Sequence, residues 1–333
     1  MHHRCRAVGT NLPRGMALLL ICALLSACAI DPPLEIADHC AATTTIVAVP
    51  VPFFPQTERQ CGPAALAGVL GAAGVDITPD VLTPQVFLPG RQGSLQIELL
   101  AATRRAGRIP YLVAAEPQAL IAELEAGRPV LVLQNLLTPH VPAWHYAVLT
   151  GFDTRKNHFF LNSGTRPQLP IGAGKFLRSW DWGGRWAMVA LRPGELPARA
   201  DPHRYAEAAT AFELVASSAA AIAAWQAAAE NWPHEPLAYL ALGNLAHGDG
   251  DLQHAIAFYR RGLESNKLDP ALLNNLASVL GEAGCPRTAE LILQPFARTL
   301  GAGSKWKTEI DATLAELAGQ AGSDAENCGA YAI

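Results

Sequence analysis

A single cysteine, Cys61, lies in a setting that can turn its sulfur into a nucleophile. It is followed by a Gly-Pro step and then by small and apolar residues from Ala64 to Leu70. Proline is well tolerated in the first turn of a helix, so this pattern predicts that Cys61 begins a buried helix. The positive end of the helix dipole favours a thiolate, which predicts a lowered pKa for the cysteine. Gln56, five residues upstream, is the candidate donor to an oxyanion.

A second stretch supplies the histidine that such a cysteine needs. His145 stands at the entrance of a β-prone segment, Trp144 to Asp153, and a turn leads into a return segment that contains Asn162. If the two segments form a hairpin, Asn162 comes back beside His145. Cysteine, histidine and a carboxamide are the parts of a thiol triad. In such a triad the imidazole pairs with the thiolate and later protonates the leaving amine, and the third residue fixes the tautomer.

Each of these assignments has an alternative. Asp153 is the other candidate for the third position, and Gln60 is a weaker candidate for the oxyanion donor. The rival histidines are His140, in a proline-flanked loop, and His158, beside a turn. A lone buried cysteine is more often only a small hydrophobic residue. The sequence has neither Cys/His spacing typical of zinc sites nor a glycine-rich phosphate loop, so no metal or cofactor is expected.

The elements around these residues run from helices to strands. Residues 87–93 are expected to form a loop, and Ser94 is expected to cap a helix over 95–106. The further predicted elements are a helix over 117–126 and strands over 46–49, 109–114, 129–134 and 186–191. Helices first and strands later predict an α+β domain rather than a repeating βαβ fold. The tryptophans Trp180, Trp182 and Trp186 are expected to pack the rim of the sheet or to line a substrate groove.

The residues just described resemble a known family. The sequence QTERQCGPAAL, followed further along by HYAVLTGF and FFLNSG, is similar to cysteine peptidase family 39 and its stand-alone relatives. The resemblance spans residues 49–191 and implies a papain-like fold, with Cys61 as nucleophile, His145 as general base and acid, and Gln56 as oxyanion residue. The best-known members cut bacteriocin leaders after a double glycine. Transporter-fused members usually place the glutamine six residues before the cysteine and use aspartate where this chain has Asn162.

The amino terminus is typical of a targeting segment. Basic residues precede a short apolar run from Met16 to Leu25, which is followed by Ser26-Ala27-Cys28. This ending resembles the lipobox of bacterial lipoproteins, so we expect cleavage after residue 27 and lipidation of Cys28, with an ordinary secretory signal as the alternative. Acyl chains on Cys28 would anchor the protein. No aspartate follows Cys28 directly, which favours the outer membrane, facing the periplasm, in a Gram-negative host.

Cysteine usage fits an oxidising compartment, which permits disulfides. Three cysteines besides Cys61 remain after Cys28, namely Cys40, Cys285 and Cys328. Sequence alone does not pair them, although Cys40 could join either distal cysteine. Cys61 is expected to stay free if it is catalytic.

From about residue 202 the sequence is alanine-rich and repeats every 34 residues. The repeat is marked by prolines at 202, 236 and 270 and by alanines at 221, 255 and 289. This is the period of tetratricopeptide repeats, and the stretch LALGNLAHGDGDLQHAIAFYRRGLESNKLDP resembles one. Such arrays bind peptides or partner proteins. A generic alanine-rich helical bundle is the alternative.

Together these features predict a signal peptide at 1–27, a tether at 28–45, a papain-like α+β peptidase domain at 46–197 and an all-α tetratricopeptide-repeat domain at 198–333. Half of the 333 residues are hydrophobic, and the net charge of −4 gives no reason to expect nucleic acid as a partner. The predicted function is a membrane-anchored cysteine peptidase that cleaves peptides or proteins, with the repeats recruiting a substrate or partner protein. The alternatives are a noncatalytic peptide-binding scaffold and a thiol acyltransferase.

Overall fold

The computed structural model describes residues 35–39, 46–56, 60–320, 324–325 and 328–331. The predicted signal peptide, the lipidation site Cys28 and most of the predicted tether lie outside these ranges. Within them, no helix combines the length and the apolar character that crossing a membrane requires.

The front half of the chain contains nine strands and five α-helices among the described residues. The strands are β1 Ile46–Ala48, β2 Phe87–Leu88, β3 Gly93–Ser94, β4 Ile109–Leu112, β5 Val130–Asn135, β6 Trp144–Asp153, β7 His158–Ser163, β8 Arg166–Gly172 and β9 Ala187–Leu191. The helices are α1 Cys61–Ala72, α2 Pro79–Val86, α3 Gln96–Arg105, α4 Pro117–Glu125 and α5 Ala173–Trp182.

Seven strands form one antiparallel sheet with helices on both faces. Its order is β4-β9-β5-β6-β7-β8, and β1 pairs with the far end of β6. Because side chains alternate along a strand, β5 and β6 feed two cores. One set packs with α1, α2 and α3, namely Leu131, Leu133, Tyr146 and Val148. The other packs with α4 and α5, namely Val130, Val132, Ala147 and Leu149. The predicted α+β architecture is confirmed.

Helix α1 is buried almost throughout. All residues from Gly62 to Leu70 are buried, as expected for a helix that is apolar on every side. At its carboxyl end, Arg108 Nε and Arg192 Nε donate to the carbonyl oxygen of Ala73 over 2.9 and 3.1 Å. Cations are favourable at this end of the helix dipole. The helix is therefore fixed at its carboxyl end, and Cys61 is its first residue.

Two segments differ from the sequence-based expectations. Residues 87–93 are expected to form a loop and Ser94 to cap a helix, but Phe87 pairs with Ser94 in a small hairpin of β2 and β3. This pairing holds Ser94 in a strand, and Leu95 is the residue that precedes helix α3. The other segment is 166–182, where the strand β8 and the helix α5 had not been predicted.

Seven helices follow in the described carboxy-terminal region. They are α6 Pro202–Glu213, α7 Ser218–Asn231, α8 Pro236–Gly248, α9 Leu252–Ser265, α10 Pro270–Glu282, α11 Pro286–Ala297 and α12 Lys307–Gly319. Each helix packs on the next along the chain. The three prolines that mark the 34-residue period begin alternate helices, and the three marker alanines are at most 2% exposed. The arrangement is consistent with a helical repeat domain.

A disulfide closes the end of this helical region. Cys285 and Cys328 are bonded, with their Cα atoms 5.5 Å apart, so the two distal cysteines pair with each other rather than with Cys40. Cys61 is free, as expected for a catalytic thiol.

The helical region shares a core with the sheet. Tyr205 of α6 belongs to the same buried cluster as Tyr111 of β4. The connecting segment is held as well, because the buried carboxylate of Glu123 accepts the N–H of Ala198 over 2.8 Å and pairs with Arg128 over 2.6 Å. Helix α6 is therefore packed onto the front half rather than suspended from a free linker.

We expect Gly243→Ala to destabilise the helical region, because a Cβ at this position would overlap the ring of Tyr259. Overpacking a buried site of this kind typically costs about 1–3 kcal/mol. Gly248→Ala in the same helix is the matched control, since no atom lies within 4 Å of its Cβ position. Urea unfolding of the two variants checks the prediction. Equal stabilities would contradict it.

Candidate active site

One large cavity opens where β6 begins. Its volume is about 1050 Å³, and its lining includes Gln56, Cys61 and His145. Cys61 reaches it from the amino end of α1, which covers one face of the sheet. Trp182, at the carboxyl end of α5, lines it from the opposite face. The structure therefore brings three of the predicted site residues to one concave surface.

The environment of Cys61 differs from the sequence-based expectation. Burial raises the pKa of the thiol above its usual range. Hydrogen bonds from the backbone of Tyr146, of Gly62 and of Cys61 itself act in the opposite direction but do not outweigh burial. A thiolate was expected from the helix terminus together with a neighbouring cation, and desolvation of the charged form opposes it. The contact with Tyr146 also places the sulfur beside the residue that follows His145 in β6.

His145 is a neutral base in this structure. Burial lowers the pKa of its imidazole, so the ring is uncharged at neutral pH. Its Nε2 lies 2.8 Å from Ser163 Oγ. Among the described residues no hydrogen bond joins it to Cys61, although both side chains line the cavity. Catalytic hydrogen bonds are often long before substrate binds.

Asn162, predicted as the third member of the triad, has a different partner. It pairs with Val148 across the hairpin, and its Oδ1 accepts the N–H of Gln168 over 3.0 Å. Gln168 has a φ of 49° at an irregularity between β7 and β8. The irregular pairing of β7 and β8 leaves the N–H of Gln168 outside the strand ladder, and the carboxamide of Asn162 accepts it. In the described part of the chain, no hydrogen bond connects Asn162 with His145.

The alternative third residue, Asp153, is too far away. It lies eight residues along β6 from His145, which corresponds to about 26 Å at ~3.3 Å per residue. Its carboxylate accepts the N–H groups of Arg155 and Lys156 in the turn of the hairpin. Asp153 therefore stabilises this turn and cannot contact His145.

The rival histidines do not reach the cavity. His158 pairs with Asp153 at the opposite end of the hairpin, and its Nδ1 contacts the carbonyl oxygen of Lys156. His140 is exposed in the loop before β6. Of the histidines in the described ranges, only His145 lines the cavity.

Gln56 is held in place by Gly164, the residue after β7. The N–H of Gln56 donates to the carbonyl oxygen of Gly164 over 3.0 Å, and the N–H of Gly164 donates to Gln56 Oε1 over 3.3 Å. This leaves the Nε2 group of Gln56 as the donor end of an amide that lines the cavity. Gln60, the alternative, is not among the lining residues.

Sequence reasoning missed two serines of this site. Ser163 contacts His145, and Ser94 has a buried hydroxyl with no hydrogen-bond partner in the described structure. A Cβ at Gly62 would overlap Ser94 Oγ, so the glycine after the cysteine is needed for this close approach. In the sequence, the Gly-Pro step was the only sign that another segment packs closely against the start of this helix.

The three tryptophans divide between the two expected roles. Trp180 is buried against Phe176, and Trp186 contacts the ring of Tyr146 edge-on. These two pack the sheet, whereas Trp182 lines the cavity.

We expect Gln56→Glu to lower kcat for peptide cleavage by about 10²–10³, the usual effect of losing one oxyanion donor. The glutamate keeps an acceptor oxygen for the N–H of Gly164 but has no Nε2 donor. Steady-state kinetics measure the change, and Gln60→Ala is the control that should retain activity. The reverse result would assign the oxyanion donor to Gln60.

Residues 49–182 match the Peptidase_C39 like family. No curated protein matches the chain.

Three solved structures are similar to the front half of the chain. A double glycine motif protease from an AMS/PCAT transporter, in complex with the leader peptide, is 23% identical, with a TM-score of 0.35 and coverage of 43% of this chain and 93% of that one. A putative C39-like peptidase from Bacillus anthracis is 17% identical, with a TM-score of 0.38 and coverage of 45% and 98%. The peptidase domain of Streptococcus ComA is 20% identical, with a TM-score of 0.34 and coverage of 44% and 98%.

The family match covers the helix that begins with Cys61, the strand that carries His145 and the segment that carries Gln56. The chain therefore combines a papain-like α+β domain, similar to the Peptidase_C39 like family over residues 49–182, with a helical carboxy-terminal region.

Proposed function

We propose that this protein is a cysteine peptidase that hydrolyses peptide bonds in the cavity at the start of β6. The observation that carries the proposal is the meeting of Cys61, His145 and Gln56 on one concave surface, each from a different part of the chain. A nucleophile, a neutral base and an amide donor are the groups that acyl transfer requires.

The neutral pair defines the order of proton transfers. His145 accepts the thiol proton as Cys61 Sγ attacks the carbonyl carbon of the scissile bond. The oxyanion that forms is stabilised by Gln56 Nε2 and by the backbone N–H of Cys61, which has no helical partner at the start of α1. Protonated His145 then gives its proton to the leaving amine as the C–N bond breaks. Water, deprotonated by His145, attacks the thioester and releases the acid and the free thiol.

The cavity fits a peptide segment better than a small metabolite. Its volume of about 1050 Å³ lies at the upper limit of typical small-ligand sites. Its walls include Leu133, Trp144, Tyr146 and Trp182, which offer apolar and aromatic contacts to peptide side chains. We accordingly take a peptide or protein as the substrate.

The proposal includes the setting of the enzyme. The lipobox-like sequence before Cys28 supports a lipid anchor, and the residues after it favour the outer membrane, facing the periplasm. The 34-residue period supports tetratricopeptide repeats that recruit a substrate or partner protein.

A peptide library incubated with the wild-type protein separates this function from its two rivals. A peptidase produces new amino and carboxyl termini that mass spectrometry identifies. A thiol acyltransferase instead joins the acyl fragment to an added amine, and a noncatalytic scaffold retains peptides without cutting them. Either of the last two outcomes would refute the peptidase proposal.

A further inference from the structure

The histidine of the site has one hydrogen-bond partner among the described residues, and it is not the residue that the sequence predicts. His145 Nε2 lies 2.8 Å from Ser163 Oγ. We infer that Ser163 is the positioning residue of His145, fixing Nε2 and leaving Nδ1 as the nitrogen that accepts the thiol proton of Cys61. The inference rests on the peptidase function proposed above.

The strand register explains why the serine and not the asparagine meets the ring. Asn162 lies opposite Val148, and directly opposed residues share a face of the sheet. Side chains alternate along each strand, so Ser163 lies on the opposite face from Asn162, the face that Ala147 and His145 share. The hydroxyl reaches the ring diagonally across the two strands. Asn162 meanwhile is bound to the N–H of Gln168.

The hydroxyl has the right chemistry for this task. With Nδ1 unprotonated, the neutral ring carries its proton on Nε2, and this Nε2–H group donates a hydrogen bond to Ser163 Oγ. When Nδ1 takes the thiol proton, the imidazolium still donates to the same oxygen. One contact therefore holds the ring, accepts from the tautomer that acts as base and also stabilises the cation that follows.

The residue after Ser163, Gly164, holds the proposed oxyanion donor in place. Gly164 exchanges two hydrogen bonds with Gln56. The adjacent residues Ser163 and Gly164 thus fix the base and the oxyanion donor together. Ser163 itself is not among the residues that line the cavity, so it acts through His145 rather than on the substrate.

The test compares Ser163→Ala, Ser163→Thr and Asn162→Ala in the full-length protein. Nitrogen-15 NMR of the His145 ring, assigned with His145→Ala, reports the tautomer whether or not a substrate is known. We expect Ser163→Ala to redistribute the ring proton, and Ser163→Thr and Asn162→Ala to retain the wild-type signals. With a cleaved peptide, Ser163→Ala should lower kcat about tenfold at unchanged KM, and Ser163→Thr should restore it.

Unchanged ring signals in Ser163→Ala would overturn the inference, whatever the kinetics show. Failure of the proposed peptidase function would look different. The ring signals would still respond to Ser163→Ala, but neither the wild type nor any variant would cleave peptides.

Discussion

Replacing Cys61 by alanine is expected to abolish peptide cleavage, lowering kcat by a factor on the order of 10⁶, as removal of a catalytic nucleophile does in other peptidases. In the proposed mechanism the sulfur forms the thioester, and no other free thiol lies in the described ranges. Alanine has the highest helix propensity, so α1 should still begin at the same residue and the fold should be retained. Cleavage of a substrate peptide, followed by mass spectrometry, measures the loss.

The double variant Cys285→Ala/Cys328→Ala is the matched control for cysteine chemistry. It removes the disulfide of the helical region, which joins positions 43 residues apart, and leaves the cavity untouched. We expect lower stability, by about 2–4 kcal/mol, with kcat unchanged at a temperature where the protein is folded. Retained cleavage in Cys61→Ala would mean that another group is the nucleophile.

Replacing His145 by alanine has the second largest expected effect, a fall of about 10²–10⁴ in kcat/KM. In the proposed mechanism the imidazole both removes the thiol proton and protonates the leaving amine, and among the described residues no other histidine lines the cavity. His158→Ala is the control, because this histidine lies at the opposite end of the same hairpin. Activity of His158→Ala should equal that of the wild type. Comparable losses in both variants would indicate damage to the hairpin rather than loss of a base.

The pH dependence follows from the two pKa shifts at the site. Burial lowers the pKa of His145 and raises that of Cys61, so the thiol and the neutral imidazole predominate at neutral pH. The acid limb of kcat/KM should therefore lie below the pH range in which an exposed histidine titrates. Alkylation of Cys61 by iodoacetamide should keep rising through and above the pH range in which an exposed cysteine titrates, since the reactive thiolate forms late. A plateau of alkylation already below pH 7 would instead reveal a preformed thiolate–imidazolium pair.

Periodicity and local motifs were sufficient to locate the main elements. The strand Trp144–Asp153 and the beginning of α1 at Cys61 agree with the sequence-based bounds, because apolar runs and turn residues delimit both. The 34-residue period likewise predicted a region of repeated helices, and in the structure each of its marker prolines begins a helix. The strand and the helix of segment 166–182 were not predicted, because its prolines and glycines suggest a loop. Pairing with β7 in the folded sheet makes β8 a strand.

The third position of the site shows why spacing alone is not enough. In a hairpin, a shift of one residue moves a side chain to the other face of the sheet. The irregularities within β6 and between β7 and β8 set this register, and neither can be read from composition. Asn162 and Ser163 are neighbours in sequence, and only the pairing decides which meets His145. The lowered pKa expected for Cys61 was wrong for a related reason, because burial depends on the whole fold.

The packing of α6 on β4 has a practical consequence for dissecting the two halves. A protein cut at residue 197 would expose Tyr111, which is 2% exposed in the intact chain, to solvent, and Glu123 would lose its bond to Ala198. Inactivity of such a fragment would then report collapse of the sheet edge rather than failed recruitment. Point substitutions of exposed leucines on the repeats, such as Leu237 and Leu268, keep the sheet edge at β4 covered and test the proposed recruiting surface alone.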